Sequence, residues 1–135
     1  MSYEIEDIEG IGPSYGEALK GVGITNTDDF LKLCADKKGR EDIAGKTEVS
    51  EKLILRWANH ADLMRISGVG PQYAELLEAA GVDTVKELQH RNAANLTTTM
   101  GQVNTEKNLS GTAPAESMVT NWIDAAKGMD PTITH

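Results

Sequence analysis

The sequence predicts an all-α protein of two tandem repeats, about five short helices each, packed as one compact body. Three observations lead there. Apolar residues recur at spacings of three and four, the period of a helix face. The recurring segments open at Pro or a small polar residue and stop at Gly, which is helix punctuation. The segment Ile8-Glu9-Gly10-Ile11-Gly12-Pro13-Ser14-Tyr15-Gly16-Glu17-Ala18-Leu19 returns as Ile66-Ser67-Gly68-Val69-Gly70-Pro71-Gln72-Tyr73-Ala74-Glu75-Leu76-Leu77. No run alternates apolar and polar long enough to argue for a strand.

The elements follow in order. Pro13 opens a helix carrying Tyr15, Ala18, Leu19 and Val22, which Gly23 stops; Pro71 opens its counterpart with Ala74, Leu77 and Ala80, which Gly81 stops. The next helix of each half begins at polar caps, Asn26 or Thr27 and Asp83 or Thr84, and carries Phe30 and Leu33 or Val85 and Leu88. Lys37, Lys38, Arg40 and Lys46 read as a solvated loop, the one place where a basic face could gather. Ser50 caps a helix with Ile54, Trp57, Ala58 and Ala61 on one stripe. Leu96, Met100 and Val103 suggest a helix between Asn92 and Asn108, although Gly101 and three threonines weaken it. Residues 108–113 read as a loop. A last helix begins near Pro114 with Met118, Val119, Trp122, Ile123 and Ala126, and residues 128–135 read as a flexible tail.

The duplication sets the organisation. Early matches are offset by 58 positions; Glu51 and Glu116, Trp57 and Trp122, and Met64 and Met129 are offset by 65, so the second half holds seven extra residues near its middle. The first repeat is 1–61, the second 62–127, the tail 128–135. Each is too small for a comfortable core alone, so the two should share one.

Composition narrows the function classes. The chain has 135 residues, 25% charged and 39% apolar, in the range of a folded soluble domain. Net charge is −8, and each half carries −4: 8 basic groups against 12 acidic, then 5 against 9. A freely basic nucleic-acid binder or polybasic membrane-surface protein does not look like this. The acidic opening with no long apolar run argues against a signal peptide, and no stretch nears the ~20 apolar residues of a membrane span. A lone cysteine, Cys34, forbids an internal disulfide framework and fits a cytoplasmic setting.

The candidate functional elements are the two turns Gly10-Ile11-Gly12 and Gly68-Val69-Gly70. Glycine permits positive φ and close backbone approach, and the apolar residue between can tuck beneath the turn. A helix starts at once at Pro13 or Pro71. Its first N–H groups and positive dipole end could hold an anion, which makes Gly10, Ile11, Gly12, Ser14, Gly68, Val69, Gly70 and Gln72 candidate phosphate-binding positions. The bland alternative is a tight turn between two helices.

These residues resemble helix-hairpin-helix motifs. In tandem, with Gly-Ile or Gly-Val after the second helix and a late Trp helix, residues 4–127 are similar to a bacterial domain-of-unknown-function family built of such units. The resemblance implies a compact bundle in which hairpin amides can contact a nucleic-acid backbone without reading sequence. It also implies that a hairpin could hold a monovalent cation through its carbonyls; no other cofactor is expected. This chain departs from the pattern. The position where a basic residue commonly helps carries Ser14 or Gln72, and Glu4, Glu6, Asp7, Glu9 and Glu17 ring the first hairpin. The second has Arg65 nearby, but also Asp62, Glu75 and Glu78. Like charge opposes phosphate within the Debye length of ~8 Å, so the second hairpin is the better candidate.

Catalytic and metal signals are weak. His60, His90 and His135 are far apart and share no ligand spacing with Cys34. His60 reads as a surface or packing residue and Cys34 as a small buried hydrophobe. Gly10-x-Gly12 lacks the strand, third glycine and acidic residue of a dinucleotide fingerprint. Asp130 follows Gly128-Met129 much as a catalytic Asp follows a loop in helix-hairpin-helix glycosylases, but it lies in the tail of a chain too short for such an enzyme. Tyr15 and Tyr73 could stack on bases; their repetition on one helical face favours packing across the two units. Trp57 and Trp122 read as core pillars. The expected function is a non-catalytic interaction module, a protein-protein adaptor within a nucleic-acid-processing assembly. The alternative is weak, sequence-independent DNA or RNA backbone binding through the hairpins at low salt. Neither reading involves a membrane or a small-molecule substrate.

Overall fold

Asn26, Asp36, Ser50, Thr84 and Asn92 each accept, through a side-chain oxygen, the N–H three residues on, and each opens a helix. Pro13 and Pro71 open two more at their first positions. The computed structural model, which describes residues 2–135, has eight α-helices, of which these signals open the first seven and the last follows Ala115, which supplies no side-chain cap. They are α1 Pro13–Lys20, α2 Thr27–Cys34, α3 Lys37–Thr47, α4 Glu51–Leu63, α5 Pro71–Ala79, α6 Val85–Leu88, α7 Ala93–Lys107 and α8 Glu116–Lys127. A 3₁₀ turn, Ile5–Asp7, precedes them. The all-α expectation holds: among the described residues the only β feature is an isolated bridge between Glu4 and Asn26.

About ten separate helices were expected, and the second half supplies the shortfall. At the 58-residue offset, the counterpart of the 3₁₀ turn is the end of α4 and the turn after it. Leu63 N-terminal to Ile66 stands where Ile5 stands before Ile8, and the Ile8 N–H to Ile5 carbonyl bond recurs as Ile66 to Leu63. The expected boundary at 61/62 therefore falls inside α4. Ala61, Asp62 and Leu63 continue its buried side without interruption.

Helix α3 stands where a solvated loop was expected. Few apolar residues mark it, but its inner side buries Ile43 and Arg40, and Asp36 caps it. Gly39 lies so close under α2 that a Cβ there would overlap the Leu33 carbonyl oxygen. The seven extra residues of the second half lie in the longer α7 and in the loop from Asn108 to Ala115.

One contiguous apolar cluster runs through both halves, from Ile5 to Ile133, with α4 at its centre contributing Ile54, Trp57, Ala58, Ala61 and Leu63. Helix α4 packs against α2 and α3 on one side and α5 on the other, while α8 packs on α6 and α7. Asp62, 1% exposed, ties the halves together: Oδ2 accepts the Val85 N–H at 2.9 Å and Oδ1 accepts from Arg65 at 2.7 Å.

The last residues are held rather than trailing free, against the expectation of a loose tail. Ile133 is buried, the Thr134 N–H donates to the Ala35 carbonyl at 2.9 Å, and Arg40 donates to the Thr134 carbonyl at 2.7 Å. Met129 is fixed through its carbonyl, which accepts from Gln89 at 3.0 Å. No helix among the described residues is long and apolar enough to cross a membrane.

Candidate functional site

The two glycine turns superpose in their dihedral angles. Gly10 has φ +93° and Gly68 φ +94°, values that favour glycine. Gly12 (φ −86°, ψ −176°) and Gly70 (φ −91°, ψ −171°) are extended caps of α1 and α5. The residue between is driven inward in both: Ile11 is 5% exposed and Val69 fully buried. Each turn closes with the same bonds, Ile11 N–H to Ile8 carbonyl and Gly16 N–H to Gly12 carbonyl, matched by Val69 to Ile66 and Ala74 to Gly70. The positive-φ stops Gly23 and Gly81 are matched too, with Ile24 N–H bonding to Leu19 and Val82 to Leu77.

No side chain caps α1 or α5. Gly10, Gly12 and Ser14 are exposed in the first turn, Gly68 and Gln72 in the second, with Gly70 half-buried. The candidate residues thus form two surface turns, each with an apolar pin and a free helix N-terminus.

Beneath each turn lies a tryptophan. A Cβ on Gly10 would stand 3.5 Å from the Trp57 indole Nε1, and one on Gly68 3.2 Å from Trp122 Nε1. On each indole rests a tyrosine: Tyr15 and Trp57 have ring centroids 5.1 Å apart at 60°, Tyr73 and Trp122 5.1 Å apart at 54°. The tyrosines therefore pack within their own half, not across the two as expected. Their stacking gives each turn a floor. The sequence carried the signal, since both residue types repeat at matched positions, but the contact spans α1 and α4 or α5 and α8, which pattern alone does not pair. Trp57 Nε1 is buried without a hydrogen-bond partner.

The electrostatics of the turns differ in detail and agree in sign. Beside the first, Lys20 pairs with Glu6, whose hydrogen bond raises the lysine's pKa, and Glu4 and Glu17 add to the rise. Its charge is answered locally. Beside the second, Arg65 is committed to Asp62 and to the Asp130 carbonyl, at 3.2 Å. Tyr3 reaches over this turn, its hydroxyl 3.9 Å from where a Gly70 Cβ would sit, and with Tyr73 and Gln72 borders a depression of about 380 Å³. The basic cluster loses a member: Arg40, 4% exposed, spends its guanidinium on the carbonyls of Cys34, Ala35 and Thr134.

The reactive side chains are dispersed. Cys34 is fully buried, and burial pushes its thiol up to about 12, so it stays protonated at neutral pH. His60 is fully buried where α4 meets α5, with Nε2 3.1 Å from Glu78 Oε2 but off the line of a directed hydrogen bond. Arg56 holds the other carboxylate oxygen at 3.1 Å. Asp130 is exposed and offers its carbonyl, not its carboxylate, to Arg65. No group of three His, Cys, Asp or Glu among the described residues is arranged to hold a metal ion.

An all-helical domain built round two equivalent glycine turns, each floored by a Tyr–Trp pair, is the class these features define. The chain belongs to a family described as Domain of unknown function (DUF4332), whose model matches residues 9–129. No curated protein and no solved structure matches the chain.

Proposed function

We propose that the two turns are helix-hairpin-helix units and that the chain is a non-catalytic interaction module, a protein-protein adaptor serving a nucleic-acid-processing assembly. The observation that carries this reading is the charge around the turns. Their amides are presented to solvent, yet the nearby cations Lys20 and Arg65 are already paired with Glu6 and Asp62. Backbone binders gain affinity by releasing counterions from phosphates onto Lys and Arg, and neither turn keeps such a group in hand. Protein partners impose no such requirement. The buried, protonated Cys34 and the enclosed His60 further support a role without nucleophilic chemistry.

A second reading retains weak, sequence-independent nucleic-acid binding at the second turn. The exposed, uncapped start of α5 between Tyr3 and Tyr73 favours it, since tyrosines can stack on unpaired bases. A fluorescence-anisotropy titration with random-sequence duplex and single strand at low salt separates the two. The adaptor reading expects no saturable binding at about 10⁻⁴ M, the weak end of non-specific affinities. Binding that collapses with added salt and is weakened by Gly70→Glu or Gln72→Glu would reverse the order of the two readings.

A further inference from the structure

Thr134 has both of its backbone polar groups taken by the first half of the chain. Its N–H donates to the Ala35 carbonyl and its carbonyl accepts from Arg40, 94 residues away in sequence. One residue earlier, Ile133 is buried in the common core. Around this anchor the segment is loosely covered: Asp130, Pro131, Thr134 and His135 are exposed and Thr132 is half-buried. Main-chain recognition of one extended residue plus a pocket for one apolar side chain is how peptide grooves bind. Arg40 is built for it. Two of its hydrogen bonds fix it to the end of α2, and the third is offered to the segment. Without an occupant, the Arg40 N–H that reaches Thr134 would lose its protein acceptor, and the Ala35 carbonyl would keep only its bond from Arg40, so a peptide backbone fits the site.

The groove is larger than its occupant. Adjoining His135 is a cavity of about 300 Å³ lined by Lys37, Arg40, Glu51, Lys52 and Leu55. Lys37 and Lys52 are exposed, and neither has a carboxylate within ion-pairing distance among the described residues. Two lysines against one glutamate make this end of the groove cationic, in a protein whose net charge is negative.

We propose that the groove between the α2–α3 turn and α4 is a peptide-docking site. Residues 131–135 occupy it as an internal competitor for an extended acidic segment of a partner protein. That segment would place a branched apolar residue where Ile133 sits and carboxylates beside Lys37 and Lys52. The proposal rests on the adaptor reading and names its surface. A tethered occupant acts at about millimolar effective concentration, so the partner must gain from the lysines what the chain's own segment does not use.

The test uses the full chain and a fluorescein-labelled peptide of residues 129–134 followed by two glutamates. Ile133→Asp, which evicts the internal occupant, is expected to tighten peptide binding about tenfold over the unaltered chain. Thr134→Pro removes the N–H donated to the Ala35 carbonyl while leaving the Ile133 side chain in place, and should act in the same direction, more weakly. In the Ile133→Asp background, Lys37→Glu with Lys52→Glu should abolish the preference for this peptide over one ending in two lysines. In the unaltered chain, saturating peptide should speed hydrogen exchange of the Thr134 amide. Equal binding to the unaltered and altered chains, or no effect on that amide, would overturn the proposal. A dimer formed by exchange of residues 131–135 between copies would overturn the assignment to a partner. Capture of a protein partner that survives all these substitutions would leave the adaptor reading standing and remove this groove from it.

Discussion

Trp57 and Trp122 sit 1% and 3% exposed beneath Gly10 and Gly68, and the two sites differ by a few tenths of an ångström. That difference can be measured. Replacing either indole with Ala removes a buried ring and the floor of a turn, which should destabilise the chain by about 3–5 kcal/mol in a denaturant melt. A loss under about 1 kcal/mol, the range of surface substitutions, would mean the ring carries little packing. Gly10→Ala and Gly68→Ala both force a Cβ onto a backbone at φ above +90° and should each cost about 1–2 kcal/mol. Gly68→Ala should be the worse, because its methyl would stand 3.2 Å from an indole nitrogen where that of Gly10→Ala would have 3.5 Å. The reverse order would mean that the second turn yields more easily than the first. Gly39→Ala should be more damaging than either, since no side-chain movement relieves overlap with the Leu33 backbone carbonyl.

Helix α4 is where the duplication stops being symmetric. Its Asn59, His60 and Asp62 are buried, whereas the matching Asp124, Ala125 and Lys127 of α8 are exposed. At this junction Glu78 carries the pH response. Burial raises its pKa, but His60 and Arg56 together outweigh that and hold it below the ordinary 4.5. A lowered folded value adds stability above 4.5 that is lost as pH falls through the folded value. Asp83 works the other way. Burial, then Glu87 and Glu78, lift it above 3.8, so its ionisation on raising the pH removes stability. Thermal melts across acid pH should show a shallower acid loss for Glu78→Gln, and Asp83→Asn should raise the melting temperature above the pH where Asp83 ionises. An unchanged acid limb in Glu78→Gln would place the acid response elsewhere. Much of the element level was legible in the sequence. Caps at Asn26, Ser50 and Thr84 and stops at Gly23 and Gly81 are local chemistry and read directly. The turns' candidate residues were legible for the same reason. Helix α3 was not, because its apolar content is slight and its buried side relies on Arg40, whose partners include a carbonyl 94 residues away. The Tyr–Trp floors were hidden likewise: they join residues from helices that only tertiary packing brings together.

At the scale of the molecule, the two halves have one core and one central helix between them. Ile54, Trp57 and Ala58 of α4 belong to the same apolar cluster as Leu76, Val85 and Val119. Asp62 on α4 supplies a side-chain acceptor to the first N–H of α6. The segment after α8 then returns to the first half, through Arg40 and Ala35. Opening one half would therefore expose the α4 face, leave Asp62 without its partners and release residues 131–135 together, which links the two unfolding events. The duplication itself provides the probes. Trp122→Phe leaves Trp57 to report on the first half, and Trp57→Phe leaves Trp122 to report on the second. In each single-tryptophan protein, the urea curve by fluorescence should coincide with the curve by far-UV circular dichroism, the signature of a two-state transition. The common slope should suit a chain of this size, about 1–3 kcal/mol/M. Fluorescence running ahead of circular dichroism in one protein and behind it in the other would mean that the halves unfold separately, and that α4 joins two units rather than forming the middle of one.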